Sequence, residues 1–304
     1  MITVLSGGVG AARLIAALSD VMEPSEITAI VNVGDDLTLH GLTICPDLDT
    51  IMYTVAGLNN TELGWGLEGE SWRVMDELGA LGGDAWFRLG DRDLATHLYR
   101  SQRLSEGATK TSVTQELCER LGVKARLLPV TDAELATCFE TEFGPMSFQE
   151  YFVRHHHDVA VTGIDVAGAD EAVATPAVIE ALLEASRIVI APSNPLISID
   201  PILRVRGVRD LLEQRRSDVF GVSPIIDGRA LKGPADRLLS ELGYEVSCLG
   251  ALDFYKGLIG TWIIDEADAV RADEVRNRGV NVLVTTTIMA QHDNARRLSA
   301  AVLS

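Results

Sequence analysis

Short apolar runs, rich in β-branched residues, recur along the chain between segments whose apolar positions repeat at helical spacing. "ITVLSG" (residues 2–7) and "ITAIVNVGDD" (27–36) read as buried strands. "GAARLIAALSDVM" lies between them with a helical period, so the chain opens on a β-loop-α-β unit, right-handed by default. Further strands are expected at 125–130, 137–141, 159–164, 187–193, 218–224, 260–265 and 281–288, and helices at 175–186, 200–216, 234–243 and 294–304. This alternation predicts an α/β fold built on a doubly wound, parallel, Rossmann-like sheet.

From Thr50 to Gly122 the alternation stops. The stretch is helical in pattern almost throughout and holds three of the four tryptophans. With the two short strands after it, it reads as a mostly helical insertion over the carboxyl edge of the sheet. The expected layout is one domain, residues 1–304, with a core of 1–49 and 159–304 and an insertion of about 50–158. Ligands of doubly wound sheets sit outside the carboxyl ends of the strands, and the suggestive loops all follow expected strands.

Composition narrows the partners. A hydrophobic fraction of 47% supports a sizeable core, while a formal net charge of -18 disfavours nucleic acid and anionic membranes. A phosphate compound held by so acidic a protein calls for a cation between them. Cys45, Cys118, Cys138 and Cys248 are scattered with no C-x-x-C pair, which predicts reduced thiols. No apolar run reaches membrane-helix length, and the chain enters a strand at once, so a cytoplasmic protein without a signal peptide is expected.

Four loops carry candidate chemistry. Gly7, Gly8 and Gly10 bring backbone N–H groups to an anion at a helix start, or simply make a tight turn. A dinucleotide fingerprint begun at Gly8 fails at its sixth position, Arg13, and no G-K-[ST] follows for a P-loop. "NVGDD" and "CPDLDT" place Asp35, Asp36, Asp47 and Asp49 after one strand. One Asp at a helix start is explained by capping, but four oxygen donors beside a phosphate loop suggest Mg²⁺. "APSNPLISIDP" offers Ser193 and Asn194 as a second anion cradle or a proline-fixed connection. Arg88 and Arg92 in "FRLGDRD" read alone as surface ion pairs, and Arg229 and Lys232 lie in a glycine-containing loop where they could meet phosphate. "HHHD" (155–158) reads as hydrated surface, because adjacent side chains do not converge on one ion.

Taken in order and spacing, "LSGGVGAARL", "VNVGDD", "HGLTICPDLDT", "GWG", "LGDRDLATH", "LLPVTD" and "APSNPLISIDPIL" resemble the 2-phospho-L-lactate transferase family (CofD, called FbiA in actinobacteria) from Ile2 to about Asp236. The resemblance implies a Mg²⁺-dependent transferase of coenzyme F-420 biosynthesis. Such an enzyme moves a phosphorylated three-carbon acid from its guanosine diphosphate conjugate to the terminal ribitol hydroxyl of Fo, a deazaflavin, and releases GMP. By the resemblance, Asp49 and Arg88 contact Fo. Asp35 holds the metal, with Asp49 as its second carboxylate, and both acids are catalytic. Gly7, Gly8, Gly10, Ser193 and Asn194 line the nucleotide-phosphate site. "NVGDD" and "ICPDLDT" look closer to the bacterial branch, which implies phosphoenolpyruvate as the acid, and homologues imply a homodimer. The competing expectation is a non-catalytic, nucleotide-sugar-binding regulator of the same superfamily. The "GWG" and "LGDRD" segments separate the two, since they would wall a flat deazaflavin ring.

Overall fold

In the computed structural model, which describes residues 1–62 and 64–304, seven strands form one parallel sheet. They are β1 (Ile2–Ser6), β2 (Ile27–Val31), β3 (Arg126–Pro129), β4 (Arg187–Ile190), β5 (Val219–Val222), β6 (Thr261–Ile264) and β7 (Asn281–Val284). The spatial order is β7-β6-β5-β4-β1-β2-β3. Read from the other edge, this is the 3-2-1-4-5-6 order of dinucleotide-binding folds with one strand added. β1 sits in the middle, with Ile2 opposite Ile27 on one side and Arg187 on the other. Every residue of β1 and β2 is buried, so these strands read as continuous apolar runs and not as alternation.

The strand order reverses between β1 and β4, which puts a crevice outside their carboxyl ends. The chain leaves β1 directly into α1 (Gly8–Ser19). Ala11, Leu14, Ile15 and Leu18 bury one face of that helix, which packs against α2 (Pro46–Val55) and the C-terminal helix His292–Leu303. α2 starts with Pro46 in its first turn and carries Asp47 and Asp49 there, where acids favour a helix N-terminus.

Beyond α2 come α3 (Arg73–Ala80), α4 (Asp91–Ser105) and α5 (Lys110–Leu121). Ile44, Met75, Leu89 and Leu94 form a small second core that ties α3 and α4 to the hairpin of Leu37–Leu39 and Leu42–Ile44. A three-stranded antiparallel sheet (Gly144–Ser147, Ala136–Thr141, Val161–Ala167) completes the layer over the sheet edge. Phe139 stacks on Tyr151 there, with centroids 4.2 Å apart.

Several elements differ from the sequence-based expectation. β3 falls inside the 50–158 stretch yet is an edge strand of the central sheet, where Pro129 lacks no needed donor. Residues 161–167, expected among the core strands, pair antiparallel in the small sheet. Their burial is interrupted, as suits an outer strand. The run 27–36 stops at Val31, because Asn32 Oδ1 accepts the Gly34 N–H at 2.8 Å and turns the chain. The helix expected over 200–216 divides at Gly207, whose φ of 100° no helix accommodates. All four cysteines are free. Among the described residues no helix is long and apolar enough to cross a membrane.

Candidate active site

The loops after β1 and β4 face each other across the switch point. Gly8 takes φ +68°, and a Cβ there would meet nothing within 4 Å, so this residue borders open space while its amide donates to Asp47. Gly10 has a different task. A Cβ on it would lie 2.4 Å from the Pro192 carbonyl, so its smallness lets the β4 loop lie against α1. Ser193 Oγ donates to the Gly7 carbonyl at 2.7 Å, which makes it a tie between the loops. Asn194 Oδ1 accepts the Leu196 N–H at 3.0 Å, while its buried Nδ2 has no partner among the described residues. Both residues line the same cavity as the three glycines.

Asp35 and Asp47 line this cavity, and Asp36, next to Asp35 in the chain, does not. Asp36 pairs with Lys110 Nζ at 2.5 Å, and both side chains are buried. Burial lifts the Asp36 pKa more than Lys110 lowers it. Asp35 has no such partner. Its backbone carbonyl accepts from Gln149 Nε2 at 2.5 Å, but its Oδ1 is buried and unpartnered. Burial, then the charges of Asp47 and Asp36, raise the Asp35 pKa well above the usual carboxylate range. Asp47 accepts the Gly8 N–H at 2.7 Å and Asn32 Nδ2 at 3.0 Å. Burial still pushes it up to about 6. Two buried carboxylates in mutual repulsion need a proton or a cation, and hard oxygen donors suit Mg²⁺.

Asp49, about half a turn beyond Asp47 on α2, belongs to another cluster. Arg100 Nη1 donates to its Oδ2 at 3.0 Å, and Arg100 Nη2 contacts Oδ1. Burial works against the Arg100 charge, but Asp49 outweighs it and holds the guanidinium firmly protonated. His97 lies 3.7 Å from Asp49 and 3.3 Å from Asp93, and Asp93 accepts from Tyr53 Oη at 2.7 Å. Asp49, Asp93 and His97 offer ligand-type atoms within 4.8 Å of one another. The fixed guanidinium already neutralises Asp49, so a divalent ion there would meet like charge.

Asp49, Tyr53, Asp93 and His97 line a second cavity of about 530 Å³, beside the first of about 510 Å³. The second is walled by Trp65, Trp86, Phe87, Phe148 and Phe152, and Arg88 stands at it. Arg88 is about half exposed, pairs with Asp76 at 2.8 Å and lies 5.4 Å over the Trp72 ring. Pro46, Thr50, Trp65, Phe148 and Phe152 line both cavities, so the two share a wall.

The profile described as "2-phospho-L-lactate transferase CofD" matches residues 2–302. The chain belongs to the CofD family. Similar curated proteins are the phosphoenolpyruvate transferases of Nocardia farcinica, 42% identical over 93% of this chain and 90% of that one, and of Mycolicibacterium smegmatis, 41% identical over 93% of each. Among solved structures, a UPF0052-family protein from Bacillus halodurans superposes with a TM-score of 0.66 at 18% identity, covering 100% of this chain and 99% of that one. That likeness concerns the fold. Family membership makes the chain a transferase.

The expected glycines, Ser193 and Asn194 come together with Asp35 at the first cavity, and Asp49 with Arg88 at the second. The structure brings Asp35 to Asp47 and gives Asp49 to Arg100. The sequence offered Asp47 as one of four clustered oxygen donors, while the family resemblance paired Asp35 with Asp49; the structure sets Asp47 beside Asp35 instead. Asp93, His97 and Arg100 were missed. Their spacing of i, i+4, i+7 sets three polar groups on one side of α4, beside buried Leu94, and that pattern was the available signal.

Proposed function

We propose that this chain transfers phosphoenolpyruvate from its guanosine diphosphate conjugate to the terminal ribitol hydroxyl of Fo, releasing GMP, in coenzyme F-420 biosynthesis. The observation that carries this reading is the shared wall between an amide- and acid-lined cavity and an aromatic one. The first suits a diphosphate, and the second suits a flat ring with a polyol tail. The reacting atoms then meet beside Thr50 and Trp65. The acceptor oxygen bonds to the phosphorus that carries the acid, and the bond from that phosphorus to the oxygen leaving with GMP breaks.

Such a transfer needs positioning and charge neutralisation more than covalent catalysis. Asn194 Nδ2 is an unpartnered donor for the diphosphate, and the Gly8 amide becomes one when Asp47 releases it. The unpartnered Asp35 Oδ1 and the facing Asp47 carboxylate fit a Mg²⁺ ion, which when bound supplies neutralisation of charge building on the leaving group. Asp49, held rigid by Arg100, orients the ribitol hydroxyl, and Arg88 closes the acceptor cavity. An acid that Arg100 already engages on both oxygens is a poor general base, so orientation is its role.

The choice of acid follows the names of the relatives. It is tested by supplying a guanylyltransferase, GTP, Fo and each three-carbon acid in turn, then weighing the product. An enolpyruvyl product is expected. A saturated lactyl product alone would overturn the choice of acid. Absence of Fo binding in a fluorescence titration, with nucleotide-sugar binding in its place, would favour the regulator instead.

A further inference from the structure

Positive charge is scarce at the polar cavity. Among the described residues lining it, Arg13 and Lys232 are the basic ones, set against Asp35 and Asp47. Both are exposed, and neither makes an ion pair among the described residues. Their positions differ. Arg13 stands on α1, one turn beyond Gly10, and lines the polar cavity alone. Lys232 follows the hairpin of Ile225–Ile226 and Arg229–Ala230 and reaches across the opening. A Cβ on Gly64 would lie 2.9 Å from its Nζ, and the next residue, Trp65, belongs to the shared wall. The Lys232 charge therefore sits at the junction of the two cavities.

We propose that Lys232 reads the carboxylate of the transferred three-carbon acid and is a specificity-determining residue for the donor; this rests on the transferase reading above. The donor carries two kinds of anionic group. Its diphosphate has the glycine-loop amide, Asn194 Nδ2 and the Asp35–Asp47 cation site. Its carboxylate has none of these. The carboxylate belongs to the acid attached to the reacting phosphorus, on the side away from guanosine, and so lies toward the acceptor. Of the two cations lining the polar cavity Lys232 is the one on that side, while Arg88 lines the acceptor cavity and is paired with Asp76. A flexible stem ending in a compact ammonium can follow this carboxylate as the acid is handed across.

Calorimetric titration of the full-length protein with GDP and with the guanosine diphosphate conjugate tests this. Lys232→Met is expected to weaken the conjugate about tenfold or more, the size of a lost charge-assisted hydrogen bond, while GDP affinity stays within about twofold. Lys232→Arg keeps most of the preference, and Arg13→Met changes both ligands alike. Equal weakening of GDP and conjugate in Lys232→Met, no change in either, or a parallel loss of Fo affinity by fluorescence would overturn the proposal. A wild-type protein that binds the conjugate and Fo yet forms no product would refute the transferase reading alone, and the Lys232 comparison would stand on its own result.

Discussion

The Gly8 amide donates to Asp47 Oδ1 at 2.7 Å, so the glycine loop at the head of α1 is tied to the acidic first turn of α2. Asp47 Oδ2 meanwhile takes Asn32, the residue that ends β2 and turns the chain toward Asp35. One carboxylate thus joins the anion-binding amide to the proposed cation site. When a diphosphate enters, Asp47 and the ligand compete for the same N–H. A cation on Asp35 and Asp47 removes that conflict by drawing the carboxylate to itself.

The two acids have separable effects. Asp35→Asn is expected to raise the Mg²⁺ requirement and cut turnover, with Fo affinity within about twofold, because Fo carries no phosphate. Asp47→Asn keeps an oxygen for the Gly8 amide and removes one of two repelling charges, but turns a second donor toward Asn32 Nδ2. It should also cut turnover, and make the melting temperature of the metal-free protein less dependent on pH. Steady-state kinetics against Mg²⁺, with melting curves in chelator, check both. Wild-type turnover and Mg²⁺ dependence in both variants would end the assignment.

On the acceptor side, Asp49→Ala leaves Arg100 buried without its partner, which costs about 3–5 kcal/mol. Any loss of Fo affinity in that variant is mixed with instability. Replacing both residues, Asp49→Leu with Arg100→Met, is expected to recover much of the stability without recovering Fo binding. Arg88→Ala gives a cleaner reading. Its half-exposed pair with Asp76 contributes about 0–1 kcal/mol, so Fo affinity should fall with little change in denaturation midpoint. Fo binding restored in the double variant would show that Asp49 serves the fold alone.

The glycines of the first loop are predicted to rank by geometry. Gly10→Ala drives a methyl to 2.4 Å from the Pro192 carbonyl, a backbone atom that cannot rotate away. The two loops must part, at about 3 kcal/mol, and GDP affinity should fall with them. Gly8→Ala meets no neighbour and carries only the left-handed backbone penalty of about 1–2 kcal/mol. Denaturant midpoints for the two variants give the order. A larger loss in Gly8→Ala would mean that the loops are not in contact as described.

The centre of the sheet was legible because β1 and β2 are buried on both faces and so announce themselves as apolar runs. The outer strands gave less. A four-residue run such as β3 does not reveal which sheet it joins, and 161–167 looks in sequence like any core strand. At the site, the glycine loop, "GDD" and "SNP" were readable because small residues and acids clustered after strands. Which acid faces which was not. Asp35 and Asp36 are adjacent in sequence, yet Lys110, 74 residues beyond Asp36, neutralises one and leaves the other bare. Asp49 and Arg100 are 51 residues apart, and only packing of α4 against α2 brings them together.

The raised acids also set a pH dependence. Folding lifts Asp47 from 3.8 to about 6 and raises Asp35 as well, so above 3.8 the folded protein holds protons that the unfolded chain has released. Stability of the metal-free protein therefore falls as pH rises through that window. A divalent ion binds the deprotonated pair, so its stabilising effect grows over the same range. Asp36 and Asp200 are raised as well, while Asp93 and Glu116 are lowered and act in the opposite sense. Taking the difference between melting temperatures in Mg²⁺ and in chelator cancels what these other groups contribute in both conditions. That difference is expected to be small near about pH 5 and large near about pH 8, and to shrink at both in Asp35→Asn. A difference that is equal at the two pH values, or larger at the lower one, would place the ion away from Asp35 and Asp47.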